Sequence, residues 1–200
     1  PNDHHCYIGR FGLFGDRPSN FAVQNADLVI SIGARLSIPQ VGHHPELFAP
    51  HAKRIVVDID GAEAFKDYLH ADLAIVADAK EFLTALLKAG IHVANRHDWM
   101  ARCLSWKMRY PLMQPEYRDA KDGVNAYVFM RELSAHLPED AIVVTDVGTA
   151  FVCSQQAMVL NGKQRLFHSS GIAPMGYGLP AAIGAFLAGR GRPVICIAGD

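Results

Sequence analysis

The four cysteines, Cys6, Cys103, Cys153 and Cys196, lie far apart, and none belongs to a C-x-x-C pair. Without that pairing, buried reduced thiols in a cytoplasmic protein are the simplest reading. No apolar run is long enough to span a bilayer and no signal peptide is visible, so no membrane partner is expected. Positive charge is not in excess: 19 Lys and Arg face 20 Asp and Glu, for a net charge of -1. Nothing in that balance argues for an extended nucleic-acid surface, and no nucleic-acid partner is expected. No G-x-G-x-x-G opens a helix after any strand, so the dinucleotide fingerprint is missing. Internal repeats and low-complexity tracts are missing too. The chain opens at Pro1 rather than an initiator Met and stops at Asp200, one residue past an apolar run. Both ends interrupt a pattern, which leads us to expect an internal piece of a longer polypeptide.

What is present is half hydrophobic and one fifth charged, as in an ordinary globular protein. Its length suits one large domain or two small ones. The patterning predicts an α/β fold with two Rossmann-like parallel-sheet sections joined by a helix and a linker. In the first, glycines 9, 12 and 15 with Pro18 form a loop, and Ser19 is the expected N-cap of a helix ending at Asn25. Residues 27–33, 54–60 and 73–77 are apolar runs of the kind found in buried parallel strands. Residues 78–88 read as a helix with a stripe of Phe82, Leu83, Leu86 and Leu87, and Gly90 lies just past its end. A connecting helix is expected over 98–109, and the polar stretch 111–122, with two prolines, as the linker. The second section then predicts a helix over 124–137, a strand over 141–145, a helix over 150–159, a short strand at 166–168 and a last strand over 194–198.

Three loops of this second section carry the chemistry: Asp146–Ala150, Ser169–Met175 and Gly199–Asp200. Each follows a strand, so a parallel sheet sets all three on one edge, where open α/β sheets bind ligands. A turn leading into a helix holds a diphosphate through backbone N–H groups and the helix dipole. Gly148 allows close approach, and the glycine-dense approach to the helix that the run Ser169–Ala185 opens is expected to leave backbone N–H groups free for a ligand. Asp200 suits a hard divalent cation such as Mg2+, which favours oxygen ligands and bridges to phosphate.

The run Ser169-Ser170-Gly171-Ile172-Ala173-Pro174-Met175-Gly176-Tyr177-Gly178-Leu179-Pro180-Ala181-Ala182-Ile183-Gly184-Ala185, followed by a strand and Gly199-Asp200, resembles the diphosphate-binding domain of thiamine diphosphate enzymes. The likeness is nearest to the acetohydroxyacid (acetolactate) synthase branch, and Thr145-Asp146-Val147-Gly148 matches an earlier turn of that domain. Ala22 to Leu28, Gly33-Ala34-Arg35 and Val57 to Asp60 resemble the second half of the family's central domain. The resemblance therefore divides the chain into a central-domain piece at 1–97, a connecting helix and linker at 98–122, and a truncated cofactor-binding domain at 123–200.

What the resemblance implies is carried over residue by residue. Val147, Gly148, Thr149 and Ala150 form part of the diphosphate cradle, and Asp200 is the first Mg2+ ligand of a Gly-Asp-Gly motif. Gly171, Ile172 and Gly199 join the cofactor-contacting segments. Met175 is the apolar residue under the bent cofactor; core filler is the alternative for a lone Met. The carbonyl of Ala173 faces the aminopyrimidine, and Pro174 is expected to hold Ala173 extended. The implied activity is formation or cleavage of a C–C bond on a 2-oxo acid or related small-molecule carbonyl substrate, in a cytoplasmic homodimer or homotetramer. The family's glutamate that activates the cofactor sits in an N-terminal domain outside these residues.

Two departures bear on substrate and flavin. After Gly33-Ala34-Arg35, acetohydroxyacid synthases usually continue Phe-Asp-Asp-Arg-Val-Thr-Gly, whereas this chain reads Leu36 to Gly42 as Leu-Ser-Ile-Pro-Gln-Val-Gly. Thr149-Ala150 stands where the synthases tend to have Gln-His. Both argue against FAD binding and for a relative acting on another substrate. If FAD or another nucleotide does bind the first section, Arg35 suits its phosphate and Asp58 its ribose. The rival functions are a nicotinamide-dependent oxidoreductase and a non-catalytic nucleotide-binding subunit. His4-His5 and His43-His44 are not expected to bind metal, because adjacent residues do not share a face.

Overall fold

The computed structural model describes residues 4–91, 94–119 and 121–199. They form two compact units. One spans Ile8–Tyr110; the other runs from Pro111 and takes in the segment up to Tyr7.

The first unit follows the order α1 (Arg17–Gln24), β1 (Leu28–Ile32), α2 (Ile38–Val41), β2 (Lys53–Asp58), α3 (Gly61–Ala64), β3 (Leu73–Val76), α4 (Ala79–Lys88) and α5 (His97–Arg109). Its three strands pair in parallel in the order β1-β2-β3, with Ile30 opposite Ile55 and Val57 opposite Ile75. Val56 and Val57 are both buried, which explains why the central strand is apolar at successive positions rather than alternating. Leu36, Val41, Phe48, Ala49, Ala52 and Leu69 gather around Val56.

Helix α1 starts earlier than its serine suggests. Asp16, not Ser19, is the N-cap residue. Pro18 lies in the first turn, where a fixed φ and a missing N–H cost nothing, so the helix begins ahead of it. Ser19 is buried, and its hydroxyl reaches the carbonyls of Arg10 and Asp16. Asp78 does cap α4, accepting from the N–H groups of Lys80 and Glu81. The apolar stripe of α4 is not buried, however: Leu83 and Leu87 are both exposed. Helix α5 packs on α1, with the Phe21 ring 5.9 Å from Trp106 and 5.3 Å from Tyr110.

The second unit contains α6 (Ala126–His136), β4 (Ile142–Thr145), α7 (Thr149–Ala157), β5 (Arg165–Phe167), α8 (Gly178–Ala188) and β6 (Val194–Ile197). Asn125 caps α6 through the N–H groups of Tyr127 and Val128. The sheet is parallel, in the order β5-β4-β6, and all four residues of β4 are buried. Val143 packs with Met130, Cys153, Ala157 and Met158, while its neighbours Ile142 and Val144 pack with Ala182 of α8. Successive side chains of a strand point to opposite faces, so α6 and α7 cover one face and α8 the other. Cys103 and Cys153 are buried as expected, but Cys6 and Cys196 are exposed; all four are free thiols.

Candidate cofactor site

The chain leaves β4 for β5 on one side and returns to β6 on the other. Strand order thus reverses at β4, the one such reversal among the described residues. A crevice opens at the carboxyl ends of the strands where connections diverge in this way. The turn after β4 and the end of β6 flank that point.

Asp146 ties the edge together. Its backbone N–H donates to the carbonyl of Ile197 at the end of β6, at 2.9 Å. Its carboxylate accepts from the N–H of Val147 at 2.7 Å, of Gly176 at 3.1 Å and of Gly178 at 3.3 Å. Gly178 has no room for a side chain, because a Cβ there would lie 3.0 Å from the Asp146 nitrogen and 3.1 Å from its Cβ. One residue thereby joins the three loops that the sequence sets on this edge. The N–H of Val147, followed by those of Gly178, Gly176 and Tyr177, holds the Asp146 carboxyl below the ordinary aspartate value against a smaller desolvation effect. A lowered folded pKa stabilises the fold fully above the unfolded value, about 3.9. The contribution shrinks below that value and is gone once pH falls through the folded pKa. Amide protection at Gly176 and Gly178, taken relative to the intrinsic exchange rate at each pH, is therefore expected to fall in acid before global unfolding. Protection that stays constant across that range would contradict the pairing.

This arrangement corrects one expectation. The N–H groups of Gly176 and Gly178 are turned onto Asp146 rather than left free for a ligand. The open helix start is that of α7. Its N-cap is Gly148, at φ 71 and ψ -142, a conformation that favours glycine, and no side chain caps the helix. The space where a Gly148 Cβ would project is empty out to 4 Å. The first intrahelical bond runs from Val152 N–H to the Gly148 carbonyl, so the amides of Thr149 and Ala150 precede the helical ladder. Gly148 and Thr149 are exposed, and Val147 and Ala150 are half-buried. Here the positive end of a helix dipole meets uncommitted donors.

The loop from Gly171 to Gly176 is exposed throughout. Met175 is 89% exposed and Ile172 87% exposed, so neither packs into the core of this unit. Ala173 is not extended: its φ is 51, in the left-handed region, and its N–H donates to the Ser169 carbonyl at 2.8 Å. Pro174 removes the right-handed helical option for Ala173, and closure of the turn onto Ser169 then selects the left-handed one. Gly199 is exposed at the end of β6. Asp200 lies outside the described residues.

In the first unit, Arg35 and Asp58 are both engaged internally. The Arg35 guanidinium pairs with Glu63 at 2.8 Å, and its carbonyl accepts from the Lys66 ammonium. Arg35 and Leu36 adopt φ values of 52 and 48, a left-handed pair held by the burial of Leu36. Asp58 accepts from the N–H of Asp60 at 3.0 Å. His4, His5 and Cys6 do bring their ligand atoms within 4.8 Å of one another, closer than alternate facing predicts. All three are exposed, and His4 Nδ1 already accepts the Cys6 N–H. A cleft of about 850 Å³ runs along α8 and β5, with Tyr177, Phe167, Gly184 and Arg190 in its lining.

Sequence reasoning set Asp146 at the head of the first loop but gave its side chain no role in the site. Its signal was present: a carboxylate at a strand end, directly before the cradle turn. Its partners 30 and 32 residues away were not visible.

Residues 1–86 match the model of the thiamine pyrophosphate enzyme central domain, and residues 146–200 that of the C-terminal TPP binding domain. The chain is 36% identical over 204 residues to the acetolactate synthase isozyme 2 large subunit of Escherichia coli K12, covering 99% of this chain and 34% of that protein. It is 36% identical over 200 residues to the isozyme 1 large subunit of the same organism, covering 100% and 34%. It is 38% identical over 200 residues to the acetolactate synthase large subunit of Cyanidium caldarium, covering 97% and 33%. The chain thus spans about a third of the length of the relatives it matches.

Proposed function

Because this chain belongs to the thiamine pyrophosphate enzyme family, we propose that the whole protein forms or cleaves C–C bonds of a 2-oxo acid, or a related carbonyl substrate, with thiamine diphosphate and Mg2+. The observation that carries this reading is the α7 start. It is uncapped, led by a left-handed glycine, and placed at the strand-order reversal of a matched cofactor-binding domain. A diphosphate fits there, because the amides of Gly176 and Gly178 are taken by Asp146 while those of Thr149 and Ala150 are not.

Gly148, Thr149 and Ala150 would hold the diphosphate through their amides, and Val147, whose N–H is given to Asp146, would only shape the turn. Asp200 would hold Mg2+, with Gly199 allowing close approach. Gly171, Ile172, Ala173 and Met175 would line the rings, with Met175 as the apolar support. When bound, thiamine diphosphate supplies the nucleophilic carbon and the electron sink, while the protein orients it and sets its electrostatics. The exposed loop of Ala173 and Met175 orients; the amides after β4 bind. Nothing in the matches supports a nicotinamide-dependent oxidoreductase.

The protein acts in this reading as a cytoplasmic homodimer or homotetramer. No helix among the described residues is long and apolar enough to cross a membrane. The altered residues at 36–42 and 149–150 support a substrate pairing other than that of acetolactate synthesis. With Arg35 engaged by Glu63, they also support a first unit without FAD.

The full-length protein, supplied with thiamine diphosphate and Mg2+, is expected to release CO2 from at least one member of a 2-oxo acid panel. Omission of either cofactor should abolish release. Calorimetry that detects no thiamine diphosphate binding in the presence of Mg2+ would overturn the reading.

A further inference from the structure

We propose that Asp146 is a positioning residue that locks the ring-supporting loop to the diphosphate turn before any cofactor binds, an inference that rests on the thiamine diphosphate reading above. The geometry is specific. Its carboxylate reaches one amide on its own turn and two amides across the edge, at Gly176 and Gly178. Gly176 directly follows Met175. At φ 82 it reverses the chain into α8, so the Met175 backbone is fixed one residue from the clamp. The absent Cβ of Gly178 lets the helix start sit against the Asp146 backbone. The Asp146 N–H meanwhile fastens the turn to the end of β6, the strand that leads to Asp200.

The loop needs this fastening because its own side chains supply none: Ile172 and Met175 are almost fully exposed. Without the carboxylate, the segment from Gly171 to Gly176 would be held mainly by the Ser169–Ala173 turn bond. A support residue carried on a wandering loop loses the defined geometry that rate acceleration requires. The hydrogen bonds of the Asp146 carboxylate all go to backbone amides. Its effect passes through the backbone of Gly176 and Gly178.

The test compares full-length wild type with Asp146→Ala and Asp146→Asn. Amide hydrogen exchange of the cofactor-free proteins reads the clamp directly. Exchange at Gly176 and Gly178 is expected to speed up about tenfold or more in Asp146→Ala, and less in Asp146→Asn, which keeps one acceptor oxygen. With thiamine diphosphate and Mg2+ added, kcat is expected to fall on the order of 10²-fold in Asp146→Ala while the calorimetric Kd changes far less. Asp146→Asn should recover part of that loss. If the alanine variant does not fold, the asparagine variant alone must show faster exchange together with reduced kcat. Unchanged exchange, or faster exchange with normal kcat, overturns the positioning role while leaving the cofactor reading intact. A wild type that binds no thiamine diphosphate overturns the cofactor reading, and the positioning role with it.

Discussion

Replacing Met175 with alanine is expected to lower kcat of the full-length enzyme on the order of 10²-fold while leaving its Tm unchanged. The two halves of this expectation have separate causes. Met175 is 89% exposed, so its truncation removes no packed core volume. A core methionine would cost ~2–5 kcal/mol; an exposed side chain changes stability by no more than about 0.5 kcal/mol. The diphosphate donors at Gly148, Thr149 and Ala150 belong to a different loop and survive the change. Thiamine diphosphate affinity should therefore fall much less than turnover. Thermal unfolding run beside steady-state kinetics decides the matter. A clear drop in Tm with normal kcat in the folded fraction would sink the supporting role.

Asp200→Ala is expected to remove the Mg2+ dependence of thiamine diphosphate binding. A hard cation takes oxygen ligands and bridges a carboxylate to phosphate. Position 200 follows Gly199 at the end of β6, and β6 is joined to the cradle turn by the bond from Asp146 N–H to Ile197. The strand therefore ends on the edge that holds Gly148. Loss of a supporting partner typically costs ~10–100-fold in metal affinity, and loss of a direct ligand should exceed that. Calorimetric titration of the full-length variant with and without Mg2+ reads the effect. Equal, wild-type affinity in the presence of Mg2+ would show that Asp200 ends a strand and does nothing more.

Much of this molecule was legible from residue order. Runs such as 142–144 and 55–57 are apolar at successive positions because both faces of a central parallel strand are covered, and that pattern needs no partner to be read. Asp78 and Asn125 act on amides two or three residues ahead, so their helix starts fall inside a short window. The motif from Gly171 to Ala185 carries its own spacing. Ser19 misled because a proline one residue earlier had already set the helix start. Ala173 misled because the restriction imposed by Pro174 leaves two conformations, and only the bond to Ser169 chooses between them.

By itself the sequence determined the α/β class, the two sections, the family likeness and the three loops on one edge, since each depends on local periodicity or on a contiguous motif. Tertiary structure alone decided which helix start stays open. On paper the start of α8, approached through Gly171, Gly176 and Gly178, looks more open than that of α7, which has Gly148 alone. The reverse holds because the Asp146 carboxylate, about thirty residues before the amides it accepts from, swings onto α8 and leaves the α7 donors uncovered. A carboxylate's reach is set by how strands align in the sheet. Alignment follows from burying both faces of β4, a property of the packed unit that no window of neighbouring residues contains.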